Sequence, residues 1–204
     1  MSGVPFAILR HASTAWNEER RLQGLADTTL SAAGEAEARS WRLPPPSAGW
    51  PRISSPLQRA RRTAELLQPS AAVTVDSALR EMSFGVWEGH TIAELRREVG
   101  EAFLAEERKG LDFQPPGGES PRSAMTRIGG WAARITETGR PVVAVSHKAA
   151  IRALLALATG WDMTGRPPHK LDWRSVHFFT VRPDGSVVVD RLNVPLTGEQ
   201  AGTR

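Results

Sequence analysis

The chain contains no cysteine in its 204 residues, which excludes disulfide frameworks, thiol nucleophiles, iron–sulfur clusters and thiolate-bound zinc together. Tyrosine is absent too, and the only lysines are Lys109, Lys148 and Lys170. Nearly every cation is therefore arginine, which keeps its proton to high pH. That reconciles a net charge of only +4 with a pI of about 10.5. No apolar stretch is long enough to span a bilayer, and Met1-Ser2-Gly3-Val4-Pro5 lacks the basic start of a secretory leader. A cytoplasmic protein with no membrane partner is expected. Basic residues are not gathered on one element: Arg59, Arg61, Arg62, Arg96 and Arg97 sit among glutamates, so no nucleic-acid partner is expected.

What is present suits one globular domain, residues 1–204, with 40% apolar and 24% charged residues. Val4–Leu9 reads as a buried strand ended by Arg10-His11, and Val142–Val145 as another ended by Ser146-His147. Short strands are expected at Arg52–Ser54 and Val73–Val75. A hairpin is expected from Val176–Val181 and Val187–Val189 around Arg182-Pro183-Asp184-Gly185. Helical spacing marks Ser31 to Arg42, a stretch with Pro56 in its first turn that runs through Leu57, Ala60, Ala64 and Leu67, and Thr91 to about Lys109. It also marks Pro121 to about Glu137 and the run through Ile151, Leu154 and Leu155 to Gly160. Ala12 to Gly24 reads as a loop. The alternation predicts an α/β three-layer sandwich, with a mostly parallel central sheet, an antiparallel edge and helices on both faces. In such sheets ligands sit at the carboxyl ends of strands, so His11 and His147 are expected on one rim.

Around these histidines stands an ordered series of short motifs. Leu9-Arg10-His11-Ala12-Ser13-Thr14-Ala15-Trp16-Asn17 is followed by Arg21-Leu22-Gln23-Gly24-Leu25-Ala26-Asp27 and Leu30-Ser31-Ala32-Ala33-Gly34. Then come Ser54-Ser55-Pro56-Leu57-Gln58-Arg59-Ala60 with Thr63-Ala64, and Leu79-Arg80-Glu81-Met82-Ser83-Phe84-Gly85-Val86-Trp87-Glu88-Gly89. Gly117-Gly118-Glu119-Ser120 and Val145-Ser146-His147 before Ile151-Arg152-Ala153-Leu154 complete it. This series, from residue 8 to about 155, resembles the histidine phosphatase superfamily, the phosphoglycerate-mutase-like proteins, and within it the short phosphatase branch.

The resemblance implies a metal-independent phosphomonoesterase that needs no cofactor and acts on a small phosphorylated metabolite through a phosphohistidine at His11. A neutral imidazole is nucleophilic near pH 7. Arg10 and Arg59 would hold phosphate oxygens in their planar forks, with His147 donating a further hydrogen bond. Glu81 would protonate the leaving group and then activate water; Glu88 is its rival. Asn17, Gln23 and Gly24 match substrate-binding loop positions, and Lys148 would add a cation at the rim. Trp16, Trp87 and Trp173 fit a core as readily as a pocket wall, and His90, His169 and His177 read as structural or exposed. Three positions depart from the family pattern: Ala12 and Lys148 replace glycines, and Ser13 replaces an acid or amide. Sugar phosphates, phosphoglycerates and nucleotide-like phosphates stay open as substrates, as do a mutase acceptor, a catalytically silent phospho-ligand-binding role and the oligomeric state.

Overall fold

Each strongly apolar run becomes a strand at the centre of a six-stranded sheet. In the computed structural model, which describes residues 3–67, 69 and 72–196, β1 is Val4–Arg10. A short helix α1 (Ala15–Glu18) and α2 (Ala32–Ser40) follow. Next come β2 (Arg52–Ser54), α3 (Gln58–Leu67) and β3 (Val73–Val75). The middle of the chain forms α4 (Ile92–Glu98), α5 (Glu101–Glu107) and α6 (Pro121–Thr138). The chain then makes β4 (Val142–Ser146), α7 (Lys148–Thr159) and the hairpin β5 (Ser175–Val181) and β6 (Val187–Pro195). The strand order is β3-β2-β4-β1-β5-β6. β3, β2, β4 and β1 run parallel, whereas β5 and β6 form the antiparallel edge.

Side chains alternate across a strand, and the two faces of the sheet collect two separate cores. Phe6, Ile8, Val142, Ala144 and Phe179 pack with Ile128, Trp131 and Ile135 of α6 and Ile151, Leu154 and Leu155 of α7. Ala7, Leu9, Val143 and Val145 pack on the other face with Ala38 of α2 and Ala60, Ala64 and Leu67 of α3. These are the three layers expected. The chain leaves β1 over the α2/α3 face and leaves β4 over the α6/α7 face. β1 and β4 are neighbours, with Arg10 opposite Ser146, so their onward connections diverge and open a crevice at their carboxyl ends.

Several local readings change. The loop Ala12–Gly24 contains α1, because Thr14 and Asn17 form a reciprocal capping box. The expected helix from Thr91 to Lys109 is two helices broken at Gly100, whose φ is 62°. Trp41 caps α2 rather than continuing it, and Pro56 precedes α3, which begins at Gln58. Gly34 is required where α2 crosses the loop after β1: a Cβ there would lie 1.9 Å from the Ser13 carbonyl oxygen.

His177 of β5 is fully buried. Its Nδ1 accepts from the Asn193 N–H at 3.1 Å, and Nε2 is buried with no partner among the described residues. Burial pushes its pKa down to about 4, with Asp172 opposing. The folded pKa lies below the unfolded value, so this histidine contributes stability above about pH 6.5 that is lost as pH falls toward 4. The loss should reach at most about 1.4 kcal/mol per pH unit. His177→Gln keeps an acceptor for Asn193 but gains no proton. Urea unfolding at pH 7 and pH 4.5 should therefore show a larger stability loss for wild type than for this variant; equal losses would contradict the linkage.

Candidate active site

The ladder between β1 and β4 continues one residue past β1, the His11 N–H donating to the carbonyl of Ser146, the last residue of β4, at 3.0 Å. This brings the His11 and His147 rings to 5.1 Å between centroids, tilted by 55°. β2 ends beside them, where the Ser55 N–H donates to the Val145 carbonyl and the Ser55 hydroxyl lies 2.7 Å from His147 Nε2. Arg59, in the first turn of α3, is wholly buried. Its Nη1 donates to the Ala26 carbonyl at 2.7 Å and its Nη2 to the Gly24 carbonyl at 2.8 Å.

A cleft of about 1010 Å³ opens here, its wall carrying Arg10, His11, Asn17, Gln23, Arg59, Glu81 and Lys148. His147, fully buried, stands against His11 but is not part of that wall, and neither is Gly24. Gly24 instead shapes the loop. Its φ is +52°, and a Cβ would lie 2.1 Å from a Glu88 carboxylate oxygen, so only glycine fits. Asn17 has its Oδ1 on the Thr14 N–H at 3.2 Å, and Gln23 Oε1 accepts from the Thr28 hydroxyl at 2.7 Å. Both therefore present their amide nitrogens as the remaining donors.

Nδ1 of His11 lies 2.7 Å from the Ala12 carbonyl oxygen. A carbonyl only accepts, so Nδ1 carries the proton and Nε2 the lone pair. Burial first, then the charges of Arg10 and Arg59, hold the His11 pKa well below the usual imidazole range. Burial, Arg59 and His11 do the same to His147. The side-chain atoms Arg10 Nε, Arg59 Nε and His147 Nδ1 are buried without partners among the described residues. Buried guanidinium donors left unpaired are costly, and two guanidiniums beside two neutral imidazoles are chemically suited to a compact oxyanion.

Glu81 follows a 3-10 turn (Ser77–Leu79) that is tied down by the Ser146 hydroxyl on the Leu79 carbonyl at 2.8 Å. Arg127, paired with Glu119 at 2.6 Å, also donates to the Ala78 and Arg80 carbonyls. The Glu81 carboxylate accepts from the N–H groups of Met82, Ala149 and Ala150 at 3.0–3.1 Å through Oε1, whereas Oε2 meets only Ala149 at 3.2 Å. It thus caps α7, whose own N-cap, His147, supplies no side-chain bond. Burial raises its pKa, opposed by those backbone bonds and by Arg59.

The rival carboxylate makes different contacts. Glu88 accepts from the backbone N–H groups of Leu25, Ala26 and Phe84 at 2.9–3.1 Å, which clamps the Gly24 loop. Other supporting groups carried no expectation from sequence. Thr63 takes the Ala12 N–H at 3.0 Å and donates to the Arg59 carbonyl. Glu37 of α2 accepts from both the backbone and hydroxyl of Ser13. Thr63 and Ser55 lay inside the quoted motifs; Glu37 had no signal beyond an acid on a helix. Among the described residues no group of three or more His, Asp or Glu side chains is gathered as for a metal ion, and no helix is long and apolar enough to cross a membrane.

Fold and site together define an enzyme of the phosphatase type. Residues 6–194 match the model of the histidine phosphatase superfamily (branch 1), and the chain belongs to that family. A relative, the probable phosphoglycerate mutase GpmB of Salmonella paratyphi B, is 36% identical over 160 residues, 75% of this chain and 74% of that one. Among solved structures, mycobacterial glucosyl-3-phosphoglycerate phosphatase in complex with VO3 superposes with a TM-score of 0.77 at 28% identity, covering 94% and 99% of the two chains. A mutant phosphoserine phosphatase from Entamoeba histolytica, in complex with phosphoserine, gives 0.77 at 25% identity over 93% and 96%.

Removing the Glu88 carboxylate leaves the Leu25 and Phe84 N–H groups without this acceptor, while the Ala26 N–H keeps the Gln23 carbonyl at 3.0 Å; the cost is about 1–3 kcal/mol for each donor that stays buried. Glu88→Ala should lower the unfolding midpoint markedly and raise KM, with the same proportional loss on good and poor leaving groups. A selective loss on poor leaving groups would return Glu88 to the role of proton donor.

Proposed function

We propose that the chain is a phosphomonoesterase that hydrolyses a small phosphorylated metabolite through a phosphohistidine on Nε2 of His11. The observation that carries this reading is the bond from His11 Nδ1 to the Ala12 carbonyl, which leaves the other nitrogen as the nucleophile on a cleft wall shared with Arg10, Arg59 and Glu81. Nε2 attacks phosphorus as the ester P–O bond breaks, and the leaving oxygen takes a proton from Glu81. Oε2, with a single backbone donor, is the oxygen suited to hold that proton. Water then attacks phosphorus, giving its proton to Glu81, and the P–N bond breaks to release phosphate and neutral His11. Nε–H groups of Arg10 and Arg59 and Nδ1–H of His147 serve the charged oxygens. For His147 this follows if the Ser55 hydroxyl donates to Nε2. That donation suits Ser55, whose oxygen already accepts from the Leu57 N–H. Asn17 and Gln23 offer amide donors to the same group. In this scheme the two guanidiniums supply the positive charge, and no metal step is needed.

The relative named a probable phosphoglycerate mutase favours a second reading, in which a hydroxyl of a phosphoglycerate replaces water as acceptor. Product analysis with 3-phosphoglycerate and a bisphosphoglycerate primer separates the two: inorganic phosphate for hydrolysis, isomerised ester for transfer.

His11→Ala should abolish both turnover of p-nitrophenyl phosphate and acid-labile labelling by radioactive substrate; retained labelling would overturn the assignment. Glu81→Gln should slow alkyl phosphates by about 10²-fold or more and aryl phosphates far less, and equal losses would remove Glu81 as the proton donor. In the free enzyme His11 must be neutral and Glu81 protonated. The first pKa is lowered and the second raised. The acid limb of kcat/KM should therefore lie below pH 6.5 and the alkaline limb above pH 4.5. An acid limb above pH 6.5 would contradict the burial argument for His11.

A further inference from the structure

The cleft is far larger than one phosphate requires, and its wall continues along α7 through Lys148 and Arg152 to Met163. Lys148 and Arg152 are four residues apart, so they project from the same side of the helix. Two other cations on the wall are neutralised by acids, Arg21 by Glu19 and Glu94 and Arg96 by Glu107, whereas Arg10 and Arg59 belong to the site around His11 and Arg20 stands just beyond the far end of α1. Neither the Lys148 nor the Arg152 side chain forms an ion pair or a side-chain hydrogen bond among the described residues, although Lys148 feels the Glu81 carboxyl at longer range. Each is held instead over an aromatic face, Lys148 Nζ at 5.7 Å from the Trp173 ring centre and the Arg152 guanidinium at 5.1 Å from that of Trp161. A ring orients a cation without cancelling its charge. Burial first, then the like charges of Arg10 and Arg152, lower the Lys148 pKa, with Glu81 opposing. The two side chains are therefore positively charged, positioned and unneutralised beside the phosphoryl-transfer groups.

We propose that Lys148 and Arg152 form a subsite for a second anionic group of the substrate, a carboxylate or a second phosphate. The proposal rests on the phosphomonoesterase reading and specifies its substrate class: a monoester with another anion on the same small skeleton. It gives the Lys148 departure a chemical purpose and brings in Arg152, whose partner in the task is set by the turn of α7. Trp173 and Trp161 act as positioning residues behind the cations.

The test compares substrate pairs that differ only in the second anion: 3-phosphoglycerate against glycerol 3-phosphate, and fructose 1,6-bisphosphate against fructose 6-phosphate. Wild type should favour the anionic member of at least one pair, and which pair responds tells carboxylate from phosphate. Lys148→Met and Arg152→Met keep the stems on their rings while removing the charge. The double variant should lower that kcat/KM ratio by about tenfold or more, the scale of a hydrogen bond to a charged group, mainly through KM. Lys148→Arg should largely restore the ratio in the single-site series. No preference in wild type for either pair, or a ratio unmoved in the double variant, would overturn the subsite. Failure of wild type to hydrolyse even p-nitrophenyl phosphate would instead overturn the underlying phosphatase reading.

Discussion

Taking a guanidinium out of water costs several kcal/mol unless its N–H groups find partners, and Arg59 is buried completely. Its two Nη groups meet that cost by donating to the carbonyls of Gly24 and Ala26, which makes the loop that carries Gln23 part of the cation's solvation. The same charge lowers the pKa of both histidines and draws on Glu81. One side chain therefore fixes the shape of the loop, adds to the burial that keeps the imidazoles neutral and has its Nε without a partner among the described residues. The loop cannot be moved without exposing the cation, nor the cation removed without releasing the loop.

Glu81 is held by opposing forces of similar kind. Backbone N–H groups of Met82, Ala149 and Ala150 favour its anion, while burial favours the neutral acid and prevails. A carboxyl poised between the two forms suits proton transfer in both directions. Its placement also couples the chemistry to the fold, because the group that would move the proton also caps α7. Since α7 packs against β1 and the α6/α7 core, the acid is held by a rigid element rather than by a free loop.

Much of this was legible in the chain because two apolar runs end in polar pairs and parallel strands bring such ends together. Arg10, His11, Ser146 and His147 follow from that rule alone, and Arg59 and Glu81 from the ordered motifs. The break at Gly100 was hidden because Ile92, Leu95, Val99 and Phe103 keep helical spacing across it. Yet Phe103 is buried while Val99 is exposed, since a left-handed glycine turns the second helix onto a new face. The duties of Glu88 and Glu37 were equally hidden. Each acts on backbone donors from a distant stretch, and no local pattern encodes where a carboxylate will find unpaired N–H groups. Gly24, expected at the substrate, shapes the loop behind it through the same kind of long-range approach.

The three departures from the family pattern divide on the same physical line. Ala12 contributes backbone alone: its N–H goes to Thr63, its carbonyl takes the His11 proton, and its φ is not positive. Its methyl joins the core on the α2/α3 face. A glycine is not needed there, so the alanine removes no catalytic group and adds no strain. Ser13 keeps a carboxylate at its position by borrowing Glu37, with Arg174 bracing that acid from outside at 2.7 Å. Both substitutions preserve what the neighbouring groups experience. Lys148 does not: it adds a cation to the cleft wall, held over the Trp173 ring, and under the proposed function a charge added there would change which ligands the cleft favours.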